Sequence, residues 1–366
     1  MKIKLLAAAL GAALSFGAQA QTAVTFYGII DSGIGYVNNG GIDPNTKDKI
    51  KGTTIMVNGG LNSSIYGFRG TEDLGGGMRA LFNLEGQFSA SNGAVIGNFW
   101  SRRSFVGVSG DWGQLTLGRD WTPAFWMGVH QELNSYTLLG NSLAFWTGNG
   151  TRSNNGLFYN TPTVNGFMAR TMISTGDWDG TGSNERNEGK YISLGLQYVP
   201  DPLAGVSASV YYNHRTGGPL AASGSVALFG GKPLSSNDFG VGGGYKWSRV
   251  RVAGGYNQIN PEGELAPKQE MATIGVGVKV FAQDEVSLEY IQLRRTAVAG
   301  TAPRAHIFSA SYVYPLSKRT RLYASAAKTF NNETGTFALS SAAQAFTPAS
   351  PGGDPRGVIF GVTHTF

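Results

Sequence analysis

The last strand of this chain restricts its fold more than any other feature. Gly357-Val358-Ile359-Phe360-Gly361-Val362-Thr363-His364-Thr365-Phe366 alternates right up to the terminal carboxylate. Val358, Phe360, Val362 and Phe366 share one face, and Gly361, Thr363 and Thr365 share the other. The last residues of soluble domains commonly fray. A transmembrane β-barrel instead needs its last strand paired with its first, because an open edge finds no hydrogen-bond partner in lipid. The amino end agrees. Met1-Lys2-Ile3-Lys4 is a basic start, residues 5–16 are apolar, and Ala18-Gln19-Ala20 is a small-x-small cleavage site. Residues 1–20 therefore read as a removed secretory signal, too short for a membrane helix, and residues 21–366 as one barrel domain.

Composition narrows the class further. Charged residues make up 14% of the chain, against roughly 25% in soluble proteins, while 54 glycines are about twice the usual share. A hydrophobic content of 41% is too high for a disordered chain. Beyond the signal, no apolar run approaches the ~20 residues of a membrane helix. Cysteine is absent, which removes disulfides, thiolate metal sites and cysteine nucleophiles. Without Lys2 and Lys4, 27 basic residues face 23 acidic ones, scattered rather than clustered, so nucleic acid is not an expected partner.

Period-2 alternation recurs along the chain. Ile192, Leu194, Leu196 and Tyr198 alternate with Ser193, Gly195 and Gln197; Ile274, Val276, Val278 and Val280 alternate with Gly275, Gly277 and Lys279. A soluble sandwich shows the same period, so the connections decide. Short turns such as 73–77, 110–113, 247–248 and 315–320 alternate with long polar links near 38–60, 92–98, 121–151, 176–188, 216–237, 260–268, 296–303 and 331–355. Outer-membrane barrels have this asymmetry of tight periplasmic turns and long external loops. The expected fold is all-β, with 16 antiparallel strands near 24–37, 61–72, 78–91, 99–109, 114–120, 152–160, 167–175, 189–199, 206–215, 238–247, 249–259, 269–281, 285–295, 304–314, 321–330 and 356–366. A lumen of that width admits water. Tyr and Trp at strand ends, among them Trp100, Trp112, Tyr198, Trp247 and Tyr314, suit interfacial girdles.

Several stretches together resemble the Gram-negative general porins of β-proteobacterial type, over essentially the whole chain. They are Val24-Thr25-Phe26-Tyr27-Gly28-Ile29-Ile30-Asp31, the hairpin from Gly67 to Gly77, Ser101-Arg102-Arg103-Ser104-Phe105 with its continuation to Gly110, Leu117-Gly118-Arg119-Asp120, Arg152-Ser153-Asn154-Asn155, Leu316-Ser317-Lys318-Arg319-Thr320 and the terminal Gly361 to Phe366. The resemblance implies a homotrimer of barrels whose third external loop folds inward to narrow the channel. It departs at Ile65, where such porins commonly carry an arginine facing the constriction, and at Thr363, another common arginine position.

Link 121–151 is the expected constriction loop. It holds no obvious helix or strand, yet Trp121, Phe125, Trp126, Tyr136, Phe145 and Trp146 make it too aromatic for disorder. Parity then assigns faces. Val106 and Val108 outward sends Arg103 inward; Phe82 and Leu84 outward sends Arg79 and Glu85 inward; Tyr66 and Phe68 outward puts Arg69 inside, and Lys279 also faces the lumen. Arginine on the lipid face would cost roughly 2–4 kcal/mol at the midplane. The expectation is a transverse field, with Arg69, Arg103 and Arg152 on the wall facing Asp120 and Glu132 on or beside the loop. A cationic ring favours anions. The structural alternative is a set of local ion pairs, Arg79 with Glu85 for example.

Enzyme readings are weak. His130, His214, His306 and His364 stand apart from one another, no Gly-x-Ser-x-Gly elbow occurs, and Gly230-Gly231-Lys232-Pro233 lacks the surroundings of a phosphate loop. No metal or cofactor is expected. The expected role is passive diffusion of small hydrophilic solutes and ions, leaning to anions. A solute-selective channel and a closed structural or adhesive barrel are the alternatives. Expected partners are outer-membrane lipid, lipopolysaccharide, two further copies of the chain, and the barrel-assembly machinery through Phe366.

Overall fold

The computed structural model describes residues 23–366 apart from 44, 130–131, 134–138, 147–150, 177–189, 201–204, 217–234, 263–266, 282, 298–299 and 341–344. The signal segment 1–20, His130 and Tyr136 lie outside the described residues. The strands are β1 Ala23–Asn38, β2 Thr53–Asn58, β3 Ile65–Gly75, β4 Met78–Gln87, β5 Arg103–Gly110, β6 Gly113–Trp121, β7 Arg152–Asn160, β8 Phe167–Ser174, β9 Tyr191–Tyr198, β10 Gly205–Arg215, β11 Ser236–Trp247, β12 Val250–Pro261, β13 Gln269–Val278, β14 Glu285–Arg295, β15 Arg304–Pro315, β16 Thr320–Asn331, β17 Leu339–Ser340, β18 Ala345–Phe346 and β19 Arg356–Thr365. Two helices, α1 Pro123–Val129 and α2 Leu143–Trp146, lie between β6 and β7.

Each strand pairs antiparallel with its neighbours, and β19 returns to β1 with Ile29 opposite Thr365 and Asn38 opposite Arg356. The sheet has 17 segments, but β2 and β3 pair with successive parts of the same edge of β1, Ser32–Val37 and Ala23–Ile29. They are halves of one strand, so 16 strands close the barrel. The seam reaches the last residue. Gly28 N donates to the Phe366 carbonyl at 3.2 Å, Phe366 N donates back at 3.1 Å, and the Phe366 ring lies 5.6 Å from that of Phe26. Gly28 is required there, because a Cβ would sit 2.3 Å from Phe366 Cζ.

The sequence places the second strand at 61–72 and assigns 53–58 to a loop; the structure begins that strand at Thr53 and interrupts it at 59–64. The interruption folds onto Asp31 of β1. Its carboxylate accepts from the backbone N–H of Gly60, Leu61 and Asn62 at 2.8–3.1 Å and from the Tyr323 hydroxyl at 2.7 Å. Three amides and a phenol satisfy a fully buried carboxylate, which would otherwise be costly inside a barrel.

Parity matches the sequence reading. Val106, Leu117 and Ile274 are each more than half exposed on the outside, while Phe105, Thr116 and Thr273 are buried inside. The packed core therefore lies within the lumen. Trp121, Phe125, Met127, Leu139 and Phe145 of link 121–151 meet Leu61, Ile291, Ile307 and Ile359 there. The last external link also folds in. Phe337 and Leu339 are buried in the same core, beside the short β17–β18 hairpin.

Candidate functional site

The described parts of link 121–151 lie within the lumen and touch both sides of it. It begins with a capped helix: Thr122 Oγ1 accepts from Phe125 N at 3.3 Å, and Pro123 occupies the first helical position. This corrects the expectation of a link without regular structure. Met127, fully buried, packs on Gly195 of β9, and the Ser209 hydroxyl of β10 donates to the Met127 carbonyl at 3.0 Å. Farther along, Arg251 Nη2 donates to the Leu133 carbonyl at 3.2 Å, and Ser309 Oγ donates to the Gly140 carbonyl at 3.2 Å. Contacts to β9, β10, β12 and β15 hold the segment against the wall at several heights.

One wall is rich in arginine. Arg69 of β3 faces the lumen, 5.1 Å from the Tyr27 ring. Arg103 of β5 forms a two-pronged ion pair with Asp120 of β6, Nε to Oδ1 at 2.8 Å and Nη2 to Oδ2 at 2.9 Å. Asp120 is thus a neighbour of Arg103 on the same wall, not a partner across the lumen. Arg152 of β7 stacks on the Trp121 ring at 3.5 Å, and Trp121 in turn stacks on Phe125 at 3.9 Å.

Two arginines that sequence reasoning missed join this wall. Arg102 Nε donates to Glu85 Oε1 at 2.6 Å, with both side chains 8% exposed, and its guanidinium lies 5.0 Å from Trp121. Arg170 of β8 donates to Asn160 at 3.2 Å and lies 4.8 Å from the Trp126 ring. Glu85 therefore pairs with Arg102 rather than Arg79, which sits near the turn end of β4 opposite Ser109. The hairpin registers were the available signal: Glu85 lies opposite Arg103 on β5, and Ser104 opposite Arg119 on β6.

The opposite wall is acidic. Glu132 is buried, and its Oε2 accepts from Ser142 Oγ at 2.7 Å and Leu143 N at 3.0 Å. Glu289 of β14 accepts from Thr273 Oγ1 at 2.7 Å and meets the Glu132 carboxyl. Its Oε2 has no hydrogen-bond donor among the described residues. Glu132, on the loop, is covered rather than facing open lumen.

A second cationic region lies at the end of the lumen nearest the short turns. Lys279 faces a space of about 380 Å³ with Lys246, Arg249, Arg251 and Arg321, and Glu285 is 3.6 Å from Arg251. Ile65 and Thr363, the two departures from the porin pattern, both point inward and are buried.

A wide antiparallel barrel closed on itself, with a segment folded across its lumen between cationic and acidic walls, is the architecture of a diffusion channel. The sequence model of the Gram-negative porins matches residues 6–334. The chain belongs to the Gram-negative porin family. This porin is 30% identical to outer membrane porin protein 32 of Delftia acidovorans over the full length of both chains. It is also 30% identical to an outer membrane porin protein of Bordetella pertussis, covering 88% of this chain and 93% of that one. The solved structure of the anion-selective porin from Comamonas acidovorans superposes with a TM-score of 0.78 at 28% identity, covering 94% of this chain and all of the other. The porin is an outer-membrane channel protein, and its relatives are channels rather than enzymes.

Proposed function

We propose that this porin passes small hydrophilic solutes and ions by passive diffusion, with a preference for anions, and performs no chemical step. The observation that carries the preference is the wall of Arg69, Arg102, Arg103, Arg152 and Arg170, five cations among which Glu85 offsets Arg102 and Asp120 offsets Arg103. Across the lumen the Glu132 and Glu289 side chains are buried rather than exposed to the water path. The lumen is the place where such fixed charges act on a passing ion with least screening. Segment 121–151 sets the narrowest section, with Arg69, Arg103, Arg152, Asp120 and Glu132 around it and Arg79, Glu85 and Lys279 along the wall. The described selectivity of the Comamonas relative supports the same sign.

The working unit in this proposal is a homotrimer exported with its leader 1–20. Its packing face is the aromatic surface of β1, β3 and the approach to β5, where Phe26, Phe68, Tyr66, Phe99 and Trp100 lie with ring centroids 4.6–6.4 Å apart. Phe366 is offered as the assembly machinery's recognition residue. Single-channel recording across a KCl gradient tests the reading: conductance steps in threes with an anion-directed reversal potential are expected, and a cation-directed potential overturns the charge assignment.

A further inference from the structure

The arginine wall has an apolar neighbour that the passage of inorganic ions does not use. Ile29 of β1 and Ile65 of β3 stand directly opposite each other in the sheet. Both face the lumen, since Ile30 and Phe68 are exposed on the outside. Ile65 is one of the two departures from the porin pattern, so this apolar floor is a feature of this chain.

Helix α1 forms the roof. Phe125 is buried and stacks on Trp121 at 3.9 Å, and Trp126 meets the Phe125 ring edge-on at 5.8 Å. Between floor and roof lies a cavity of about 230 Å³, with Val129 on one side and Asn62 and Ser63 on another. Ile29, Asn62, Trp126 and Val129 are only half-buried, so water in the lumen reaches it. An apolar cavity of about 150 Å³ is enough to take up benzene. This one has room for such a ring and a small substituent.

Arg102 gives the cavity a charged end. Its Nε is paired with Glu85 and its Nη1 donates to Gln87 at 3.3 Å, while Nη2 makes no hydrogen bond among the described residues. The Glu85 carboxylate also accepts from the Tyr27 hydroxyl at 2.9 Å, so both its oxygens are occupied. Two guanidiniums flank the Trp121 ring, Arg152 at 3.5 Å and Arg102 at 5.0 Å, and keep this end cationic.

We propose that the cavity is a subsite for aromatic monocarboxylates of the size of benzoate. The proposal rests on the anion-passing reading above and names a class of solute for it. The ring would lie between the Ile29–Ile65 floor and the rings of α1, where aromatic pairs attract beyond the burial of area. The carboxylate would accept from Arg102 Nη2, a charge-assisted bond of the stronger kind. Chloride fills no such space, and a short aliphatic acid leaves the rings uncovered.

The test is single-channel recording of the folded porin in KCl at pH 7, with benzoate, acetate, cyclohexanecarboxylate and benzamide added in turn. Benzoate should block the current at a concentration about tenfold or more below that for acetate, and about threefold below that for cyclohexanecarboxylate. Benzamide has the same shape without the charge and should block about tenfold more weakly than benzoate. Ile65→Arg puts a charge into the floor, and Val129→Trp fills the space. Each should bring the ratio of benzoate to acetate block near one, with heat-modifiable migration certifying the fold; Val129→Trp carries the test if the arginine is not accommodated. An anion-directed reversal potential with equal block by benzoate and acetate overturns the subsite and leaves the anion channel standing. So does an undiminished ratio in Val129→Trp. A cation-directed reversal potential overturns both, because the wall would then not draw the carboxylate in.

Discussion

The two walls that grip segment 121–151 solve the burial of charge in opposite ways. On the β4–β7 side, cations meet carboxylates and aromatic faces: Arg102 with Glu85, Arg103 with Asp120, Arg152 on Trp121. On the β13–β14 side, two carboxyls meet each other, Glu289 with Glu132. The first arrangement is balanced only while both members are present. The second places its carboxyls under neutral donors, the hydroxyls of Thr273 and Ser142 and the Leu143 amide. The arginine wall is thus held by ion pairs, and the acidic wall by hydrogen bonds to neutral groups.

The largest expected effect breaks the first arrangement. Glu85→Ala strands the Arg102 guanidinium in a site 8% exposed, and removing one member of such a buried pair costs about 3–5 kcal/mol. The midpoint of urea unfolding, followed by heat-modifiable migration, should fall accordingly. An unchanged midpoint would show that water reaches Arg102 freely.

Next comes the field itself. Arg103→Ala with Arg152→Ala removes two cations and leaves the Asp120 carboxylate facing the lumen without its pair. The reversal potential in a KCl gradient should move toward cations, with the permeability ratio changing about thirtyfold if each charge contributes on the order of 1 kcal/mol at an intermediate dielectric. A potential that does not move would mean that the permeation path lies away from this wall.

These pairs also show how much of the molecule could be read from its sequence. Alternation gave the barrel, the inward faces and the closing strand, because lipid outside and water inside impose a strict period of two on every strand. The inward turn of the third link came from the porin resemblance and from its aromatic content, Trp121, Phe125 and Phe145 among it, not from alternation. Side-chain partners were less legible. Parity says that Arg103 points into the lumen but not that Asp120 lies beside it, since the match depends on the β5–β6 register, with Ser104 opposite Arg119. The split second strand was hidden for a similar reason. Residues 53–60 read as a loop and 61–64 as strand, and what organises the interruption at 59–64, Asp31, lies about thirty residues earlier in the chain. The burial of Phe337 and Leu339 had no periodic signal at all.

A smaller effect tests the second arrangement. Glu289→Gln keeps the shape and the bond from Thr273 and breaks none of the ion pairs described here, so stability should change by less than about 1 kcal/mol, in either direction. Selectivity should stay near wild type. A loss comparable to that of Glu85→Ala would show that Glu289 is ionised and partnered, and the two walls would then be alike.

The smallest effect separates the constriction from the wider mouth. Lys279 is one of five cations around a space of about 380 Å³, and Glu285 offsets one of its neighbours. Ions crossing such a mouth keep much of their hydration, and salt screens fixed charge over about 10 Å at 0.1 M and about 3 Å at 1 M. Lys279→Gln should therefore lower anion preference slightly at low salt and leave it unchanged at 1 M. The substitutions at Arg103 and Arg152 should retain part of their effect at high salt, because the crossing segment excludes much of the screening solution there. Measuring both variants across a salt series compares the two regions on one scale, and equal salt dependence would show that neither location confines the ion more than the other.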